Sequence, residues 1–274
     1  MRELEIQSGE VTLRGEEAGE GRPVVLLHGL TASRRYVVMG SRALERDEHR
    51  VVTYDARGHG KSDGAEEPSR YGYDALCADL EAVLDSCGIE RATLAGASMG
   101  AHTLLRFALD HPERVEALVV ITPAHEPERF DDPHRLARWD ALSDGLREGG
   151  VEGFIRAYGV DDVPERWRAT IAKVLEQRMS AHEHPEAVAD ALRTVPRSEP
   201  FSGLEDLAGI TAPATVVASR DEADPGHPFA LAEEYAAAIP GAQFVSEDPG
   251  SSPLAWQGGQ LSKVIAATAA RAAG

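Results

Sequence analysis

The chain has 274 residues, 42% of them apolar, enough for one large domain or for one domain with a sizeable insertion. Its formal net charge of −18 argues against nucleic-acid partners and against docking on anionic membranes. No stretch approaches the roughly 20 apolar residues of a membrane span, and the opening MRELEIQSGE lacks the basic and apolar regions of a signal peptide, so a cytoplasmic protein is expected.

In chain order, strand-like and helix-like patterns alternate. Near-continuous apolar runs that end in polar or glycine turns occupy 23–29 (PVVLLHG) and 50–55 (RVVTYD), the form of parallel strands buried on both faces. Over 73–87, Leu76, Leu80, Val83, Leu84 and Cys87 recur at three and four residues and make one apolar helical stripe. Cys77 and Cys87 both fall in this helix, where ten residues rise about 15 Å, too far for a disulfide. Further strand-like runs occupy 92–98 (ATLAGAS) and 115–122 (VEALVVIT), with a helix carrying Leu104, Leu105 and Ala108 between them. The alternation then breaks. Residues 123–207 are helical, charged and proline-punctuated, and are expected to form a cap over the C-terminal edge of the sheet, where open α/β sheets bind ligands. Trp139, Phe154, Tyr158 and Trp167 in this stretch would face a ligand or, more simply, pack the cap onto the core. Strand-like runs resume at 214–221 (ATVVASRD) and in AQFVSE, before an alanine-rich C-terminal helix. The expected architecture is an α/β core from 1–122 and 208–274, with a helical cap insertion at 123–207.

The string Gly96-Ala97-Ser98-Met99-Gly100 is a G-x-S-x-G placed between a strand-like run and a helical pattern. A tight strand-to-helix turn there would expose the Ser98 hydroxyl at the sheet edge, and the following helix would aim its positive end at a developing oxyanion. Together with LLHGL after one strand and YDARGHGKSD after the next, this elbow makes the chain resemble the α/β-hydrolase superfamily over essentially its whole length. The resemblance implies an eight-stranded, mostly parallel sheet. It makes Ser98 the nucleophile, and the backbone amides of Leu30 and Met99 the oxyanion donors. It leaves His28 structural and gives Asp55, Arg57, Gly58 and Gly60 the task of bracing a neighbouring loop. A serine at the elbow disfavours the dehalogenase and epoxide hydrolase branches, which carry an aspartate there.

A serine nucleophile needs a base, and the base an orienting acid. Asp221 stands where the family's acid follows a late strand, although the glycine three residues earlier is Ala218 here; Asp224 is the second choice. The family's histidine belongs in the turn after the last strand, but DPGSSPLAWQ puts Ser251 at that position, and no histidine follows His227. Three readings result. The base has moved, with His227 the first candidate and His125 the second; His102, one helical turn past Ser98, points along its own helix. Alternatively the triad is lost and the fold serves as a binding protein. Or Ser251 is an introduced change in an active esterase. The continuation PLAWQGGQLS also lacks the acidic residue that commonly follows the histidine, which favours a natural difference.

Other chemistry is not indicated. His182 and His184 stand two apart and share no helical face, no H-E-x-x-H occurs, and neither a dinucleotide fingerprint nor a P-loop lysine motif is present. No metal and no cofactor is expected. The expectation is a serine hydrolase acting on a small ester, thioester or lactone, with a small-molecule substrate as its partner.

Overall fold

A computed structural model describes residues 1–220, 224 and 226–272, and of residue 162 only the backbone. The described strands are β1 (Arg2–Ser8), β2 (Val11–Ala18), β3 (Arg22–Leu27), β4 (His49–Tyr54), β5 (Ala92–Ala97), β6 (Val115–Ile121), β7 (Ala214–Val217) and β8 (Gln243–Val245). They form one eight-stranded sheet in the order β1-β2-β4-β3-β5-β6-β7-β8. Pairing is antiparallel between β1 and β2 and between β2 and β4, and parallel from β4 through β8. The N-terminal hairpin is an addition to the sequence expectation. Val11, Leu13 and Gly15 of β2 point inward in alternation with half-buried Thr12 and Arg14, a period-two pattern inside a charge-rich stretch.

The parallel strands read as continuous apolar runs because both faces are covered. Val25, Leu27, Leu94, Val120 and Val216 pack on one face against Leu80 and Leu84 of α2 (Tyr73–Ser86), Leu104 and Leu105 of α3 (Met99–Asp110) and Tyr235 of α7 (Phe229–Ala238). The alternate residues Val24, Leu26, Ala95, Val119 and Val217 pack on the other face against Leu44 of α1 (Ala43–Arg46) and Leu261 and Ile265 of α8 (Gly258–Arg271). Each such valine, leucine or isoleucine side chain, when fully buried, contributes about 1.5–3 kcal/mol of transfer free energy.

Between β6 and β7 lie α4 (Pro133–Tyr158), broken at Gly149 and Gly150, α5 (Glu165–Met179) and α6 (Pro185–Thr194). Leu142, Phe154, Ile171, Leu175 and Leu192 form a third apolar cluster there, and Leu30 from the loop after β3 and Met99 at the start of α3 belong to it. The helical segment therefore rests on that loop and on the start of α3. Chain order also reverses at that point, since β3 lies between β4 and β5. Loops leaving neighbouring strands in opposite directions open a crevice, the usual ligand site of such sheets. No described helix is long and apolar enough to cross a membrane.

Candidate active site

Ser98 occupies the one-residue turn between β5 and α3, with φ 50° and ψ −113°. That conformation is uncommon for any residue with a Cβ and costs on the order of 1–3 kcal/mol, so the surroundings must enforce it. They do so by close backbone approach. A Cβ on Gly96 would lie 2.4 Å from Gly100 O, and one on Gly100 would lie 2.3 Å from Leu27 O. Only glycine lets β5, α3 and the end of β3 meet this closely. The Ser98 N–H donates to Ile121 O (3.0 Å), which fixes the turn against β6.

The loop after β3 runs beside the elbow: a Cβ on Gly29 would touch Ser98 Cβ at 3.5 Å. Met99 begins α3, where a helix leaves its first amides without intrahelical acceptors. His28 has its Nδ1 2.8 Å from Gly29 O, and its Nε2 accepts the Ala56 N–H (2.9 Å). Burial drives its pKa down to about 3. It is a neutral brace, as the resemblance implied. Asp55 performs a similar task, accepting the Arg34 N–H (2.8 Å), the Arg34 guanidinium (2.7 Å) and the Lys61 N–H (3.1 Å). Arg57 forms a buried bidentate pair with Asp79 (2.8 and 2.6 Å).

His227 and Asp224 stand together in the loop after β7. The His227 Nδ1 lies 2.8 Å from Asp224 Oδ2, and the His227 N–H donates to Asp224 O (3.3 Å). Burial alone would raise the Asp224 pKa, but the neighbouring His227 and Arg178 outweigh it and hold the carboxyl below its ordinary value. Ser98, Leu30, Met99, Asp224 and His227 all line one cavity of about 560 Å³. Asp221, the first choice for the acid, lies outside the described residues. Ser251 is exposed, its N–H donating to Asp248 O (3.0 Å), and is not part of the cavity wall; Ala255 and Trp256 represent its loop there.

His102 and His125 also border the cavity, in different states. The His102 Nε2 accepts two amides, from Ala124 and His125 (3.0 Å each), so its Nδ1 carries the proton and faces Tyr73 Oη at 3.0 Å. With both nitrogens engaged and burial pushing its pKa well down, it pins the start of the helical segment to α3. His125 is buried between the rings of Phe130 and Phe201 (centroids 6.0 and 5.1 Å), and burial lowers its pKa to about 4. Its Nε2 has no partner among the described residues.

Trp139, Phe154 and Tyr158 reach the cavity, whereas Trp167 is 39% exposed and stands apart from it. His182, weighed in the sequence only as a metal ligand, has an Nδ1 that accepts the Gly60 N–H (2.8 Å) and so ties the helical segment to the loop after β4. The arginines 129, 135, 138 and 178 also border the cavity. In a charged helical stretch such residues look like a solvated face, and nothing local marks them otherwise.

A family model described as alpha/beta hydrolase fold matches residues 22–159. A curated relative from Pseudomonas savastanoi pv. phaseolicola, named "Putative carbamate hydrolase RutD", is 30% identical over 223 residues, covering 81% of this chain and 83% of the relative. A protein of the same name from Azorhizobium caulinodans is 29% identical over 245 residues, 89% of each chain. Among solved structures, a thermophilic esterase from Thermogutta terrifontis has a TM-score of 0.80 at 22% identity, covering 99% of both chains. An enol-lactonase from Burkholderia xenovorans LB400 has a TM-score of 0.72 at 22% identity over 98% of both. At that identity the two structures speak to the fold alone.

Proposed function

The chain belongs to the α/β-hydrolase fold family, and from that premise we propose that it is a serine hydrolase of small esters, thioesters or lactones whose general base is His227. The observation that carries this reading is the 2.8 Å contact between His227 and Asp224 in the cavity that Ser98 also lines. An imidazole that donates Nδ1–H to a carboxylate presents Nε2 as its free lone pair. His227 would then accept the Ser98 Oγ proton as Oγ attacks the carbonyl carbon. The oxyanion would be held by the Leu30 and Met99 amides, and the same proton would pass from Nε2 to the departing alkoxide or thiolate. Water, deprotonated in turn by His227, would release the acid and restore Ser98. Asp224 orients the imidazole and stabilises its cation. Residues 123–207 act as the cap that shapes the substrate cavity. The name borne by the curated relatives adds carbamates to the carbonyl groups worth assaying.

The test is turnover of 4-nitrophenyl acetate. Ser98→Ala and His227→Ala are each expected to lower kcat by about 10⁴-fold or more, and Asp224→Asn by about 10³- to 10⁴-fold. Wild-type turnover no faster than that of Ser98→Ala overturns the hydrolase reading. If His227→Ala keeps wild-type turnover, the base lies elsewhere, and His125, with its unpartnered Nε2, is the next variant to make.

A further inference from the structure

The described cavity wall carries four arginines, Arg129, Arg135, Arg138 and Arg178, against two carboxylates, Glu126 and Asp224, in a chain whose net charge is −18. Both carboxylates are engaged: Glu126 faces Arg129 at 3.4 Å and Asp224 holds His227. The cations are answered unequally. Arg129 also pairs with Asp132 (3.1 Å), and Arg135 donates to the Phe130 and Pro196 carbonyls (2.9 and 3.1 Å). Arg138 lies 5.8 Å over the Tyr158 ring.

Of the four, only Arg178 has a buried nitrogen without a partner among the described residues. Its guanidinium lies 5.3 Å over the Tyr36 ring, and its Nε is buried with no acceptor among the described residues. The nearby acidic group whose charge it feels is Asp224, already bound to His227. Burial pushes the Arg178 pKa down against the opposing pull of the Asp224 carboxylate. A buried N–H left without an acceptor among the described residues destabilises a protein, and in a ligand cavity a bound anion would answer it. A planar guanidinium backed by an aromatic ring matches one acceptor well, a carboxylate held by two parallel N–H···O bonds. Val174 and Leu175, on the same helix as Arg178, and Phe154 provide apolar walls for a short carbon chain.

We propose that Arg178 binds a carboxylate carried by the substrate, so that the preferred substrates are esters or lactones bearing a second, ionised carboxyl group on a short chain. This deepens the serine-hydrolase reading and rests on it for the fate of the bound ester, but not for the binding of the carboxylate.

Two measurements separate the two claims. The first compares kcat/KM for mono-4-nitrophenyl glutarate with that for 4-nitrophenyl pentanoate. The wild-type protein is expected to favour the glutarate ester at least about tenfold. Arg178→Gln is expected to lower that preference by about 10- to 100-fold, chiefly through KM, with partial rescue by Arg178→Lys. Equal rates on the two esters, or an equal fall on both in Arg178→Gln, overturns the proposal; the latter would assign Arg178 to positioning Asp224. The second is calorimetric binding of glutarate to Ser98→Ala, which is read even if no ester turns over. Binding that disappears in Ser98→Ala/Arg178→Gln supports the carboxylate site; absence of binding, or binding indifferent to Arg178, rules it out.

Discussion

Ser98 joins an uncommon backbone conformation to a place in the cavity wall. Its positive φ puts the hydroxyl at the sheet edge, and a glycine would hold that backbone without the Cβ penalty. Ser98→Gly is therefore expected to be more stable to urea than Ser98→Ala by about 1 kcal/mol, although both lose turnover. Equal midpoints would show that the elbow is unstrained. Which residues meet at the candidate site was unevenly legible. Ser98 announced itself through its flanking glycines, and His227 was the one histidine beyond the acid candidates. The choice between Asp221 and Asp224 was not legible, because a three-residue spacing in an irregular loop fixes no direction. The contact at 2.8 Å brings Asp224 to the imidazole, while Asp221 lies outside the described residues. Arg178 was invisible in the sequence, since only the tertiary fold buries its Nε.

Elements explain why the expected histidine position contributes no base. The loop after β8 turns through Gly250 at φ 81° and leaves Ser251 exposed, sending Ala255 and Trp256 to the cavity instead. The loop after β7 brings His227 and Asp224 together instead. Accordingly, Ser251→His is expected to change kcat/KM by less than about threefold; a gain of several orders of magnitude would mean that the base had been absent. The loop after β4 works by bracing. Arg57 and Asp79 are 7% and 0% exposed at the side chain, so Arg57→Ala leaves an uncompensated buried carboxylate. A loss of about 3–5 kcal/mol in urea unfolding is expected, against under 1 kcal/mol for an exposed pair. The parallel strands were readable because burial on both faces writes uninterrupted apolar runs. The β1–β2 hairpin was not, because its inward residues are diluted by charged neighbours in RELEIQSGEVTLRGEEA.

The molecule as a whole gathers the candidate site residues at one sheet edge, and burial holds several histidines of the fold neutral. His28 and His182 are depressed to about 3 and His125 to about 4, in each case by burial first. An unfolded histidine takes up its proton near pH 6.5, so the unfolded chain binds more protons than the native one between that pH and the folded values. Stability is therefore full above about pH 6.5 and falls as the pH drops towards 4, by up to about 1.4 kcal/mol per unit for each histidine. Buried His59 and His102 are shifted in the same direction, so urea unfolding at pH 5 should show an uptake of at least about three protons and a lower midpoint than at pH 7. A midpoint unchanged between these values would contradict the assignment of these imidazoles as buried and neutral. The mostly parallel α/β class followed from the alternation of strand-like and helix-like runs, and the count of eight strands followed only from the family resemblance. The composition of the cavity wall did not, because it draws on segments from residue 28 to residue 256 that only folding brings together.

The central claim is that His227, oriented by Asp224, activates Ser98. The most direct measurement is the rate at which a fluorophosphonate probe labels Ser98 in the wild-type protein and in His227→Ala, with Ser98→Ala as the blank. A relocated base requires rapid Ser98-dependent labelling that falls by about 10³-fold or more in His227→Ala. Labelling of His227→Ala within a few-fold of wild type would contradict it.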